Sequence, residues 1–290
     1  MNLRGRLLHT VVTALLMASA SFGAAIVPGF DSTTDGRSDD GTYTTGGCNN
    51  PAPGGTCAGT AVPIGFDVNF FGITRDSLFI NTNGNVTFDA PLSTFTPFSL
   101  DDALRPIIAP FFADVDTRNP ASGLITFGNG IFEGRNAFGV NWFDVGYFEE
   151  KADKKNRFQL LLVDRSDIGI GNFDIIFNYD RIEWETGDGS FGTDGLGGFS
   201  ARAGISNGTG APGEAFELPG SGNPGAFIDG GSEALISNSM NSDVAGRYIF
   251  GARAGELIVT PEPSTWALIL GGCVFLLFAR RSRFAGTSNS

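Results

Sequence analysis

Asn83-Gly84 sits between two short runs, residues 77–82 and 85–89, whose apolar and polar residues alternate. A period of two is the pattern of a strand with one buried face. Asn-Gly supplies the two positive φ angles of a type I′ hairpin turn. The stretch therefore predicts a tight β-hairpin with Phe79 opposite Phe88 and Asn81 opposite Val86. Leu78 and Ile80 point to the other side, so both faces of this hairpin can be covered.

The same grammar runs along the chain. "RPIIAPFFADVDTRNPASGLITFG", from Arg105, reads as strand, acidic stretch, turn at Asn119-Pro120 and strand. In "AFGVNWFDVGYF" the apolar residues Phe138, Val140 and Trp142 share one parity and Phe143, Val145 and Tyr147 the other. That switch predicts a β-bulge near Trp142 or a strand buried on both faces. Residues 149–156 read as a charged hairpin tip. Phe173, Ile175, Phe177 and Tyr179 alternate, then Ile182 and Trp184 change parity, which places a bend near 178–181. Glycine numbers 42 of 290, about twice its ~7% average, as short strands joined by tight turns require. No long helical pattern appears, and a short helix fits only around 231–239. The expected fold is all-β, an antiparallel β-sandwich-like domain with Gly-rich loops.

The two ends differ from this middle. Residues 1–23 carry Arg4 and Arg6, an apolar stretch and small residues, the order of a secretory signal peptide. Near the other end, the uncharged run from Trp266 to Ala279 follows Pro261 and Pro263 and precedes Arg280, Arg281 and Arg283. It reads as a single short hydrophobic helix, 264–280, with its basic end held in the cytoplasm. Between the ends lie a Gly/Thr-rich arm (24–60), the β domain (61–255) and a linker (256–265). Cys48 and Cys57 bracket a Pro/Gly loop in the arm and are expected to form a disulfide outside the cytoplasm. Net charge is −12. Residues 1–23 and 263–290 hold five arginines and no acid, so the exported part is more acidic still. That argues against nucleic acid and anionic lipid as partners.

The C-terminal segment resembles the PEP-CTERM sorting signal of Gram-negative bacteria. Pro261, Glu262 and Pro263, the short helix and the arginines carry the resemblance across 261–284. It implies recognition by an exosortase-type sorting enzyme, attachment to the inner membrane before processing, and a final place at the cell surface or in the extracellular matrix. The segments "FDVNFFG", "INTNGNVTFDAP", "FGVNWFDVGYF", "FDIIFNYDRIEWETGD" and "ARAGISNG", in that order with those above, resemble the NIDO domain, the extracellular module of nidogen. The likeness spans 61–218 and is strongest over 105–218. It implies a β domain acting in cell–matrix adhesion without enzymatic activity, with matrix polysaccharide or protein as partner. It brings no agreed set of binding residues.

The candidate chemistry is narrow. The one histidine, His9, falls in the signal peptide, so the exported part has no Ser-His-Asp or Cys-His system and no His-held metal. Asp114 with Asp116, and Glu183 with Glu185, are carboxylates two apart. On a strand such pairs share a face and do not flank a bond as glycoside hydrolysis requires. "DVDTRN" places oxygens at alternate positions, and Asp114, Asp116 and Asn119 form a candidate calcium set; hydrogen bonds to the turn before Pro120 are the plainer use. No other cofactor is expected. The 187–198 loop is Gly-rich but opens no helix, so it is read as a mobile surface loop, the kind of place where binding would reside, and not as a phosphate loop. The sequence thus reads as an exported surface or biofilm-matrix binding protein, with a secreted carboxylate-dependent glycan-active enzyme as the alternative.

Overall fold

The computed structural model describes residues 25–41 and 59–259. In chain order its strands are β1 (Thr33–Thr34), β2 (Val62–Phe70), β3 (Ile73–Asn81), β4 (Asn85–Thr87), β5 (Ile107–Phe112), β6 (Val115–Asp116) and β7 (Ile125–Phe132). They continue with β8 (Arg135–Tyr147), β9 (Lys151–Asp164), β10 (Phe173–Arg181), β11 (Arg202–Ser206), β12 (Ala215–Glu217), β13 (Arg247–Arg253) and β14 (Glu256–Ile258). They form two sheets, one ordered β1-β7-β8-β9-β10-β13-β14 with β6 beside β8, the other β12-β11-β5-β4-β3-β2. Every paired strand is antiparallel. The all-β sandwich expected from the alternation is the observed fold. No helix among the described residues is long and apolar enough to cross a membrane. The expected signal peptide, both candidate disulfide cysteines, and the expected C-terminal helix and sorting signal lie outside them.

Alternation decides which side chains meet between the sheets. Phe138, Val140 and Trp142 of β8 and Phe158, Leu160 and Leu162 of β9 face inward and are buried. Phe158 stacks on Trp142 and meets Phe111 of β5, each at 5.2 Å between ring centroids. Removing Phe158 as far as Ala would cost about 3–5 kcal/mol. Polar ends of the aromatic residues find backbone partners: Trp142 Nε1 donates to Thr82 O at 3.1 Å and Tyr179 Oη to Pro110 O at 2.6 Å.

Both alternatives for the parity switch in β8 hold. The pairing with β9 slips between Phe143 and Val145 and again before Tyr147, with Asp144 at φ 59°. The outer face is also covered, by the arm. Phe30 packs on Ala137, Leu161, Val163 and Ile176. Gly139 makes room for it, since a Cβ there would lie 2.6 Å from Phe30 Cβ. Around Phe30 the sheet carries a row of amides. Asn178 Nδ2 donates to Gln159 Oε1 (2.9 Å), and Gln159 Nε2 donates to Asn141 Oδ1 (2.8 Å) and to Val27 O (2.7 Å). Asn141 Nδ2 donates to Phe30 O, and Val27 N to Gln159 Oε1. Arg247 closes the row, donating to Asn178 Oδ1 and to Ala25 O. The bend at 178–181 is a bulge in β10, where the register shifts between Tyr179 and Arg181.

Four expectations are corrected. The first hairpin pairs Phe79 with Thr87, Ile80 with Val86 and Asn81 with Asn85. The loop is therefore three residues, 82–84, with Gly84 alone at positive φ (72°). Asn83 cannot serve in a type I′ turn because its side chain is committed elsewhere. It accepts from Val115 N (2.9 Å) and donates to Asp40 Oδ1 (3.0 Å) and Thr94 O (3.2 Å). The charged tip at 149–156 shrinks to three residues, because Lys151 already pairs with Tyr147. Residues 231–239 form successive turns and not a helix. Residues 256–258, placed in the linker, form β14 on the edge of the larger sheet.

Candidate functional site

Asn83 organises more than its own turn. Ala113 N donates to Asn83 O, and Val115 N to Asn83 Oδ1, so the segment between β5 and β6 is held against the 82–84 loop. Asp114 lies at the centre of that segment and is 1% exposed. The arm arrives from the other side. Ser38 N donates to Thr117 Oγ1 (2.7 Å), and Thr117 N and Oγ1 both donate to Ser38 O (2.8 Å). Arg37 Nη1 binds the carbonyls of Thr117, Asn119 and Ser122. These bonds deliver Asp39 and Asp40 to Asp114.

One carboxylate oxygen from each of Asp39, Asp40 and Asp114 lies within 4.8 Å of the others, and all three residues are buried. Two like charges at that separation repel by about 3–4 kcal/mol even at an effective dielectric of 20. Asp40 accepts from Asn83 Nδ2. Asp39 has no hydrogen bond, but its Oδ2 lies 3.1 Å from Arg118 Nη2. Neither oxygen of Asp114 has a hydrogen-bond partner. Burial first, then the charges of Asp40, Asp39 and Asp116, push Asp114 up to about 9. Burial and its acidic neighbours raise Asp39 to about 7, and burial raises Asp40 to about 6. Arg118 opposes all three shifts, but only in part, because Asp116 holds it through its Nε and Nη2.

The Gly-rich loop lies directly over this cluster. A Cβ on Gly187 would sit 2.5 Å from Asp114 Oδ2, and one on Gly189 would sit 3.0 Å from it. The loop is closed on itself by Ser190 N on Gly187 O and Thr186 Oγ1 on Gly197 O, and tied to its neighbours by Asp188 N on Phe148 O and Ser190 Oγ on Phe95 O. Above, it presents apolar groups to solvent. Phe191 is 77% exposed and Phe199 51%, their rings 5.8 Å apart, with Leu196 beside them in sequence and also exposed. Lys151 pairs with Asp188 at 2.7 Å, and Lys154 donates to Asp194 O.

The structure redistributes the residues singled out in the sequence. Asp114, Asp116 and Asn119 do not converge. Asp116 is engaged by Arg118 and by Glu150 N, while Asn119 donates to Glu150 O and accepts from Ala121 N. Asp39 and Asp40 take their places beside Asp114. The doubled acid in "DGRSDD" was the one trace of them in the sequence. Glu183 and Glu185 do not share a face. Glu183 is exposed and accepts from Lys155 N, whereas Glu185 is fully buried and accepts from Ser200 Oγ, Gly225 N and Phe227 N. Those donors anchor the 221–227 segment and leave Glu185 no reach to a substrate. A shallow depression is lined by Phe71, Gly213, Glu214, Gly255, Glu256 and Leu257. Thr209 and Asn207 hold the Glu214 carboxyl below its usual range, the opposite of what a general acid needs.

Comparison with known proteins gives a consistent result. The nidogen-like domain matches residues 76–130 and 124–254. Alpha-tectorin of Mus musculus is 31% identical over 223 residues, covering 68% of this chain and 10% of the tectorin. Alpha-tectorin of Homo sapiens matches over the same extent at the same identity. Nidogen of Drosophila melanogaster is 29% identical over 209 residues, 63% of this chain and 14% of the nidogen. The chain thus spans a small fraction of the length of these curated relatives. No solved structure matches.

Proposed function

The chain belongs to the nidogen-like domain family, and we propose that it is an exported, non-enzymatic binding module for extracellular matrix polysaccharide or protein, serving adhesion or biofilm structure. The observation that carries this reading is the 187–199 loop. Its base is tied down while Phe191, Leu196 and Phe199 face solvent, and aromatic groups on a pinned loop are suited to contact with low ordering cost. The acidic balance of the chain and the nidogen and alpha-tectorins among its relatives support the same reading. Of the carboxylates weighed for glycan hydrolysis, Glu185 is committed to Ser200, Gly225 and Phe227, Asp116 to Arg118 and Glu150 N, and Asp114 is buried. A glycan and matrix-protein array probed with the purified chain tests the proposal. Binding should appear on at least one class and be lost in a Phe191→Ala/Phe199→Ala variant. Hydrolysis of a polysaccharide, abolished by Glu183→Gln or Asp114→Asn, would establish the enzymatic alternative instead.

The route to the surface is part of the same proposal. We read residues 261–284 as a sorting signal processed by an exosortase-type enzyme of a Gram-negative bacterium, with 264–280 holding the chain in the inner membrane beforehand. Replacing Pro261, Glu262 and Pro263 by alanine should trap full-length protein in the inner membrane. Fractionation with a tag at each end reads this out, and unchanged release would remove the sorting reading.

A further inference from the structure

We propose that Asp39, Asp40 and Asp114 bind a calcium ion directly beneath the 187–198 loop. An acidic cluster alone would not establish a site, because buried acids can be neutralised by protons or by arginine. The second observation is the carboxylate of Asp114. It is 1% exposed, both of its oxygens lack a hydrogen bond, and no ion pair reaches it among the described residues. Buried polar atoms are almost always partnered, and such an exception calls for an explanation in the site itself. Among the described residues, Arg118 is shared between Asp39 and Asp116 and makes no ion pair with Asp114. Three carboxylates converge within 4.8 Å, Asp114 has both oxygens free of hydrogen bonds, and Arg118, held by Asp116, balances the set only in part.

The donor set selects the ion. All three groups are carboxylates, with no thiol or imidazole among them, so a hard cation is preferred to zinc or copper. Calcium takes six to eight oxygens in flexible geometry and completes its shell with water, whereas magnesium demands a near-ideal octahedron. The three side chains come from two separate segments, 39–40 and 114, so the ion would tie the arm to the β5–β6 connection. Gly187 and Gly189 rest on Asp114 Oδ2, so the ion would also fix the floor of the exposed aromatic loop.

Isothermal titration of the metal-stripped full chain with calcium chloride should give one ion per chain. Thermal unfolding should show a higher midpoint in millimolar calcium than in EDTA, with a much smaller shift for magnesium. Asp114→Asn should weaken calcium binding at least tenfold. In EDTA the same variant should melt above the wild type, because the buried unpartnered carboxylate is gone, so the order of the two proteins reverses when calcium is added. Asp39→Asn and Asp40→Asn provide second variants should Asp114→Asn fail to fold, and each should also reduce the calcium response. Absence of binding and of a shift at 5 mM calcium, on the order expected to saturate extracellular calcium modules, would overturn the site. So would a calcium response that the variants retain in full. An equal response to magnesium would overturn the choice of ion.

Discussion

Two of the buried polar groups among the described residues differ sharply in their chemistry. On the outer face of the larger sheet, Asn141, Gln159 and Asn178 pass hydrogen bonds from strand to strand and onto the arm. At the end of the smaller sheet, Asp39, Asp40 and Asp114 crowd together, and Asp114 accepts nothing. An amide carries donors and an acceptor, so a row of amides can satisfy itself. A carboxylate only accepts, so carboxylates brought together need something from outside. Both groups touch the same arm, the first through amide bonds to Val27 and Phe30 and the second through Asp39 and Asp40 packed against Asp114.

The contrast can be broken at either side. The largest effect should come from Gln159→Ala, which strips partners from Val27 N and O, Asn141 and Asn178 at once. Unmet buried groups and the cavity together should destabilise by roughly 3–5 kcal/mol in urea unfolding. A loss under 1 kcal/mol would mean that the row is not closed. A buried acid should respond with the opposite sign. Asp35 is 7% exposed, and burial raises its carboxyl to about 6 against the backbone bond from Gly36 N. Its folded state therefore binds a proton more readily than the unfolded one, and stability falls as pH rises from about 4 to 6. Asp35→Asn keeps an oxygen for Gly36 N and escapes that loss. It should match the wild type near pH 3.5 and exceed it by about 1–2 kcal/mol at pH 7, a figure discounted for partial screening. Equal curves at all pH values would show that Asp35 is solvated after all. The smallest effect on stability belongs to the surface. Phe191→Ala with Phe199→Ala should change unfolding by less than about 0.5 kcal/mol while removing ligand binding. A large destabilisation would mean that the rings support the loop instead of presenting it.

The strands were legible because each side chain that faces the core repeats at a period of two, and Phe138, Val140 and Trp142 or Phe173, Ile175 and Phe177 announce it locally. What failed was set by distant partners. Asn83-Gly84 looks like a two-residue turn until Val115, Asp40 and Thr94 claim the Asn83 side chain. Asn141, Gln159 and Asn178 occupy polar positions of their strands, which on sequence alone means a wet face. Only the arm makes that face dry. Asp39 and Asp40 are separated from Asp114 by a long stretch of chain, so no local spacing links them. Glu185 looks like the neighbour of Glu183, but the chain leaves the strand pattern at 182, and the two side chains part.

The bond from Arg247 to Ala25 O joins residues 222 apart, and this fixes an order in time. A chain made from its N-terminus carries the arm for most of its synthesis before the strand that receives it exists. Gln159, the arm's middle anchor, arrives 132 residues after Val27. Contacts this far apart close late, since the intervening chain must be ordered before they form. The first residues of the arm thus finish seating only after β13 exists, and until they do that part of the outer face of the larger sheet stays open to any other strand or chain that can reach it.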